Sequence, residues 1–567
     1  MKLFNVIGIS CLLAVSAFTH AAPTYIQPKP LAQVVKTSVG KVRGSEINLP
    51  IITWGGDIAT IYANGSDKKT QKNSLFRAQG LNFKLSRNDD FSKQVENYIK
   101  GNTPYLRGTL GMINAASDVL ANNPDTKPVI IHQLTWSAGG DALVVKKGIR
   151  SIKDLKGKTI ALQAYGPHVD YMVTILADAG LKPSDVNLKW LPDLTGTDNS
   201  PMAALYEQNI DAVFVIIPDA LALTSGGSVG NGAEDSVKGA RILMSTKTAN
   251  RVISDVYAVR ADYLADNRAK VESFVKALYV ASSEVKGLFN NPKSNQKKYD
   301  TLVATSADLL LDAPDAIADT EGLYLDAEHV DVNDNKRFFT DKSYPRNVEK
   351  MNKNIQKSLK YLGLSSSRNL PALADWNFTK LGAAQDFVQK SRFNSSKVAS
   401  VVAKKQQQSA LADGELFSFE VAFRPNQNAF DGSLYSDDFD RVIELASTYG
   451  GAVITVEGHS DPLKYLRSKK KGESGTILTR LKQSNKNISL SRAQSVREGL
   501  VDFAEQRDVT LDASQFAVIG HGFASPKTGM CGSDPCAPKN EAEWRSNMRV
   551  VFRVIQLEAE EDLFQPL

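Results

Sequence analysis

Among 567 residues only three are cysteine and five tryptophan, and beyond the N-terminus no stretch runs long enough without charge to cross a bilayer. The chain without its N-terminal segment is therefore expected to be soluble. Two of the commonest catalytic signatures are missing, the Gly-x-x-x-x-Gly-Lys-Ser/Thr phosphate loop and His-Glu-x-x-His, and the Gly-x-Ser-x-Gly at Gly226 to Gly230 follows a helical segment and reads as a glycine-rich loop instead of the strand-to-helix elbow that such a serine needs. Asp331-Val-Asn-Asp-Asn335 opens like a calcium loop, but Lys336 stands where a glycine must turn and Lys342 where a bidentate glutamate must bind. Neither enzyme activity nor a metal or cofactor is expected. A formal net charge of +6 is small for this length and gives no broad electrostatic footprint for nucleic acid.

The length exceeds what one hydrophobic core usually organises, so two or three domains are expected. The N-terminus carries Lys2, an apolar stretch from Val6 to Phe18, and small residues at Ala21 and Ala22 before Pro23. That is the layout of a secretory signal, with cleavage after Ala21. A signal at 1–21 removes Cys11 and leaves Cys531 and Cys536, five residues apart, as the expected disulfide of an oxidising compartment. A zinc site there would need four ligands, and no histidine or further cysteine flanks the pair.

From about Val42 to Phe387 short β-branched runs alternate with longer amphipathic ones, the pattern of an α/β architecture. Ile47 to Trp54 ends at Gly55-Gly56, and Pro128 to Thr135 ends at Trp136-Ser137 before the run Ala142 to Val145. Lys158 to Gln163 ends at Tyr165-Gly-Pro-His168, and Ala212 to Ile217 at Pro218-Asp219. Open α/β sheets bind ligands beyond the carboxyl ends of their strands, where helix N-termini offer free N–H groups. Trp54, Met112, Trp136, Ser137, Tyr165 and Asp219 are the resulting candidates for a solute site, although tryptophan and tyrosine at strand ends also serve as core or hinge packing. Asp57, Asp170 and Asp219 read equally as helix caps or as partners of a cationic or zwitterionic ligand.

The run Gly148-Ile-Arg-Ser-Ile-Lys-Asp-Leu-Lys-Gly-Lys-Thr-Ile-Ala-Leu162, followed by Asp178-Ala-Gly-Leu181 and Ala203-Ala-Leu-Tyr-Glu-Gln-Asn-Ile-Asp-Ala-Val213, resembles type 2 periplasmic solute-binding proteins. Ile253 to Arg260 and Tyr263 to Val275 extend the likeness, and its closest flavour is the branch serving sulfonates, taurine and thiamine precursors. The resemblance implies a two-lobed α/β domain over 22–393 closing on a small-molecule ligand, with an ABC permease or membrane sensor as partner.

A polar stretch, 394–415, is expected as a linker with a partly helical character, before an α+β domain over 416–557 and an acidic tail at 558–567. In that domain Val453-Ile-Thr-Val-Glu-Gly-His-Ser-Asp461, Asn485, Ile488-Ser-Leu-Ser-Arg-Ala493, Ile519-Gly-His-Gly522 and Asn547-Met-Arg-Val550 follow the motif order of OmpA-like peptidoglycan-binding domains. The resemblance implies that Asp461 takes the ammonium and Arg492 the carboxylate of a diaminopimelate side chain in a peptidoglycan stem peptide. Asn485 and Asn547 would hold the peptide backbone, with Arg549 in support. His459 and His521 read as packing or turn residues, and a helix is expected from Ser489 to Glu505. Two departures stand out: Pro462 to Lys471 is a basic insertion expected as a solvated loop, and Met548 replaces an arginine. The expected product is a wall-associated periplasmic receptor of a Gram-negative bacterium; the alternative is an envelope assembly protein whose binding-protein fold is an interaction platform without ligand.

Overall fold

The computed structural model describes residues 22–556 apart from 234, 367–368, 383–394, 409, 412–413, 426, 428–429 and 508. The expected signal at 1–21 and the tail at 558–567 lie outside the described residues. Lobe 1 begins with strand β1 (Ile47–Ile51), helix α1 (Asp57–Ala63), β2 (Phe83–Arg87), β3 (Tyr105–Thr109), helix α2 (Leu110–Leu120) and β4 (Pro128–Ser137). The chain then crosses to lobe 2, with β5 (Asp141–Val145), β6 (Thr159–Gln163), α3 (His168–Asp178), β7 (Asn187–Leu191), β8 (Ala212–Ile216), α4 (Ile217–Leu223) and β9 (Arg241–Ser245). It returns through β10 (Ser254–Arg260), β11 (Ala327–His329), helix α5 (Val348–Tyr361) and β12 (Ala372–Leu373).

Lobe 2 holds one sheet in the order β7-β6-β8-β5-β9, and lobe 1 a sheet β11-β4-β10-β3 with β12 beside β4, plus the parallel pair β1-β2. The continuous apolar runs that marked β4 and β8 in the sequence are the strands buried on both faces: every residue of β4 is buried. The two passages between lobes, β4 to β5 and β9 to β10, are tied at Thr246. Its hydroxyl lies 2.8 Å from Ser137 Oγ and accepts the N–H groups of Gly139 and Asp141, each at 3.1 Å. Insertion of lobe 2 into the middle of lobe 1 is thus the architecture that the sequence resemblance implied.

The C-terminal domain comprises helix α6 (Ser395–Gln407), β13 (Glu415–Ala422), α7 (Ser436–Thr448), β14 (Val453–Gly458), α8 (Leu463–Lys470), α9 (Gly475–Glu505), β15 (Phe516–Gly520), the short hairpin β16 (Met530–Cys531) and β17 (Asp534–Pro535), and β18 (Arg549–Ile555). Its sheet runs β13-β18-β14-β15. Cys531 and Cys536 form the expected disulfide across the hairpin, with Cα atoms 4.8 Å apart.

Three expectations change here. The helical part of the polar linker is α6, whose Val398 and Val402, one helical turn apart, pack on Val453, Ala517 and Ile555; this segment belongs to the C-terminal core. The basic insertion is helix α8, held down by buried Tyr465 against Phe523 (ring centroids 4.8 Å apart), while its lysines stay exposed. The helix expected to start at Ser489 begins at Gly475, where Ser474 caps it. The C-terminal domain also sits directly on lobe 2 and the β9–β10 passage. Arg251 N–H donates to Thr448 O and Gly451 N–H to Thr248 O, each at 3.1 Å, and Asp178 accepts from Arg441 and from the Tyr449 hydroxyl, each at 2.8 Å. Among the described residues no helix is long and apolar enough to cross a membrane.

Candidate functional site

Two places in the molecule gather chemistry. The first lies between the lobes, where α2 and α3 bring their N-terminal turns together. Thr109 caps α2 through its hydroxyl, which accepts Met112 N–H at 3.2 Å. Facing it, Tyr165 adopts a left-handed backbone (φ 61°) at the turn into α3, and its hydroxyl donates to Lys29 O at 2.6 Å. Met112 and Ala115 of α2, Tyr165, Val169 and Asp170 at the start of α3, and Leu359 of α5 enclose a cavity of about 10 Å³, room for about one water.

Met112 and Tyr165 are therefore brought together, and the other expected solute residues are placed elsewhere. Trp54 is buried at the lobe junction, its indole N–H donating to Thr135 Oγ1 at 2.9 Å. Its ring lies so close to Gly140 that a Cβ there would come within 2.3 Å, so only glycine fits. Trp136 packs edge-on against Phe338 with centroids 5.8 Å apart. Ser137 donates to Asp141 Oδ2 at 2.6 Å and belongs to the tied passages. Asp219 accepts from Thr195 Oγ1 at 2.9 Å. Trp54 and Ser137 thus serve the junction between the lobes, while Trp136 packs within lobe 1 and Asp219 bonds within lobe 2.

Reasoning from sequence missed two buried polar groups beside the cleft. Arg107 of β3, fully buried, binds Asp57 (Nη2–Oδ2 2.9 Å) and Asp255 (Nη1–Oδ1 2.8 Å). Burial pushes both carboxyls up, Asp57 to about 6, against the pull of Arg107. His168 Nε2 lies 2.7 Å from Asp141 Oδ1 at the mouth of α3. A basic residue inside the otherwise apolar β3 was the available signal for the first.

The second place is the end of β14. Gly458 is pressed against α9: a Cβ would lie 1.8 Å from Ser489 O. Gly458→Ala is accordingly expected to destabilise the C-terminal domain by about 1–3 kcal/mol, the usual cost of overpacking, read as faster hydrogen exchange in β14. The following turn is locked by Ser460 N–H to Gly522 O (2.8 Å) and Gly522 N–H to Ser489 Oγ (2.8 Å), which joins the Gly-His-Ser-Asp and Gly-His-Gly motifs to α9.

Arg492 of α9 is 1% exposed and donates only to backbone carbonyls: Gln427 O at 3.0 Å, Arg424 O at 3.2 Å and His459 O at 3.3 Å. Among the described residues no carboxylate pairs with it, and burial pushes its pKa down to about 10. Asp461 uses one oxygen to accept Leu463 N–H at 3.0 Å, while the other is buried with the Trp544 indole beside it; burial raises its carboxyl, against the pull of Trp544 and the Leu463 N–H. Asn547 is fully buried and bonds Thr528, accepting its N–H and donating to Oγ1, each at 3.3 Å. Arg549 lies 3.4 Å from Glu420. Asn485 instead turns back along α9 to Leu481 O at 2.9 Å.

Behind this turn the rings of His459 and His521 stack 4.9 Å apart, and His521 Nε2 lies 3.4 Å from Glu457 Oε2. Burial, Arg549 and His521 push His459 down to about 3, so it is neutral at ordinary pH. Glu457, His459 and His521 could converge on an ion, but Arg553 already holds the other Glu457 oxygen at 3.1 Å. The ring stack and the Glu457 pairs are packing contacts, and His459 Nδ1 is buried without a hydrogen-bond partner among the described residues.

Comparison with known proteins bears on the first place. Residues 71–293 match the family NMT1/THI5 like. The match falls on the two-lobed domain and supports its reading as a solute-binding domain. Among solved structures the chain is similar to the alkanesulfonate-binding protein SsuA from Xanthomonas axonopodis pv. citri bound to MOPS, at 15% identity over 59% of this chain and 99% of that one, with a TM-score of 0.39. It is similar also to the periplasmic aliphatic sulphonate binding protein SsuA from Escherichia coli (18% identity, 49% and 84% covered, TM-score 0.35). A third is the periplasmic nitrate-binding protein NrtA from Synechocystis PCC 6803 (13%, 58% and 84%, TM-score 0.37). No curated protein matches the chain.

Proposed function

We propose that the chain is an exported periplasmic receptor that captures a small solute between its lobes for an ABC importer or a membrane sensor. Its C-terminal domain holds it to peptidoglycan. The observation that carries the capture reading is the cavity itself: it lies between the lobes, at two converging helix N-termini, beside passages that meet at one hydroxyl. The anchoring reading rests on Arg492, a buried cation with no acidic partner among the described residues, which holds His459 O in the turn that carries the half-buried Asp461 carboxylate.

Capture is tested by thermal shift of the chain from Ala22 against amino acids, sulfonates, phosphonates and pyrimidines. One class is expected to raise the melting temperature, since a ligand at a hundred times its Kd adds about 2.7 kcal/mol. A second reading, the interaction platform, has one observation in its favour: the cleft is closed by its own side chains, with Trp54 seated on Gly140. Silence across all four classes supports that reading instead.

A further inference from the structure

Three aspartates sit in the first turns of helices facing the crevice, and the structure separates them. Asp57 is paired with Arg107, and Asp219, which accepts from Thr195 through one oxygen and buries the other, does not line the cavity. Asp170, in the first turn of α3, lines the cavity, and among the described residues no hydrogen-bond donor or salt-bridging cation meets its carboxylate. Its Cβ lies 3.2 Å from where a Cβ on Gly111 of α2 would be, which places it in the seam between the lobes.

Resting on the receptor reading above, we propose that the solute is a small organic cation, an amine or amidine with an apolar body, whose charged head pairs with Asp170. The body would lie against Met112, Ala115, Val169, Leu359 and the Tyr165 ring. Among the described residues no lysine or arginine lines the cavity, so an anion would meet there an apolar space and a carboxylate without a counter-charge. Burial pushes the Asp170 carboxyl up to about 6, with Arg346 acting in the other direction, so a cationic partner in the cavity would relieve a carboxylate that its surroundings disfavour. The cavity holds about one water in this closed arrangement, so the lobes must part for the body of the cation to enter.

The test is isothermal titration of the chain from Ala22 with isoamylamine and benzylamine, and with benzyl alcohol and benzenesulfonate as neutral and anionic counterparts. The amines are expected to bind about tenfold or more tighter than either counterpart, and Asp170→Asn is expected to erase that preference, the usual consequence of losing a charged partner. Amine affinity in the wild type should fall between pH 7.5 and pH 5, as Asp170 takes up its proton near 6. Tighter binding of benzenesulfonate, or amine binding unchanged in Asp170→Asn, overturns the proposal. Benzenesulfonate or benzyl alcohol binding that Met112→Trp removes and Asp170→Asn leaves intact would reject the cation while sustaining the receptor. If no probe of either set binds, nor any class in the thermal-shift screen, both readings fall together.

Discussion

Replacing Arg107 by methionine is expected to lower the unfolding free energy of the two-lobed domain by about 3–5 kcal/mol, the cost of leaving buried charge without its partner. Arg107 is fully buried on β3 and binds Asp57 at the start of α1 and Asp255 on β10, so three segments far apart in sequence meet on one guanidinium. Tyr257 donates to Pro50 O at 3.0 Å and lies beside Asp57, closing the cluster. Methionine fills similar space but supplies no charge, and both carboxyls must then take up protons or leave the core.

The pH dependence has a definite sign. Asp57 titrates near 6 when folded and near ~3.9 when unfolded. A raised folded value contributes stability that is complete below the unfolded value and is lost as pH rises through the folded one. The wild type should thus gain stability from pH 7.5 to pH 5 through this group, and Arg107→Met, whose carboxyls rise further, should gain more. Urea unfolding at the two pH values reads both effects. An Arg107→Met midpoint equal to wild type at pH 7.5 would remove the cluster from any structural role.

At the other end of the chain, Arg492→Lys is expected to weaken binding to diaminopimelate-containing peptidoglycan by about tenfold or more, and Asp461→Asn by a similar factor. Among the described residues three of the five Arg492 donor hydrogens go to backbone carbonyls and hold the fork in place, and the other two have no acceptor, which suits them to a ligand carboxylate. Lysine keeps the charge but cannot hold three carbonyls and also present a planar fork. Asp461→Asn keeps the oxygen that caps Leu463 N–H while removing the charge an ammonium needs. Circular dichroism separates these losses from unfolding.

The sequence made the motif-bearing end of the chain readable and the cleft only in outline. Val453 to Asp461 is a strand running into a turn because its glycine must pass Ser489 O, and that constraint is local enough to show as a motif. The alternating elements of the two lobes were equally visible, since strand burial writes itself into continuous β-branched runs such as β4 and β8. What packs across the lobes is set by contacts distant in sequence. Trp136 and Ser137 looked like binding residues because they follow a strand, yet Phe338 and Thr246 claim them. The Arg107 cluster joins positions 57, 107 and 255, with no spacing to reveal it. A helical part of the linker was open to the sequence, whereas the packing of its Val398 and Val402 on the C-terminal sheet was concealed by the polar residues around them.

The claim that this receptor is held to the wall is tested most directly by sedimenting the chain from Ala22 with purified diaminopimelate-type peptidoglycan, with and without free meso-diaminopimelate. The predicted result is co-sedimentation that free diaminopimelate releases and that fails on lysine-type wall, whose side chain lacks the carboxylate meant for Arg492. Equal sedimentation on both walls, or a chain that stays in the supernatant, would contradict it.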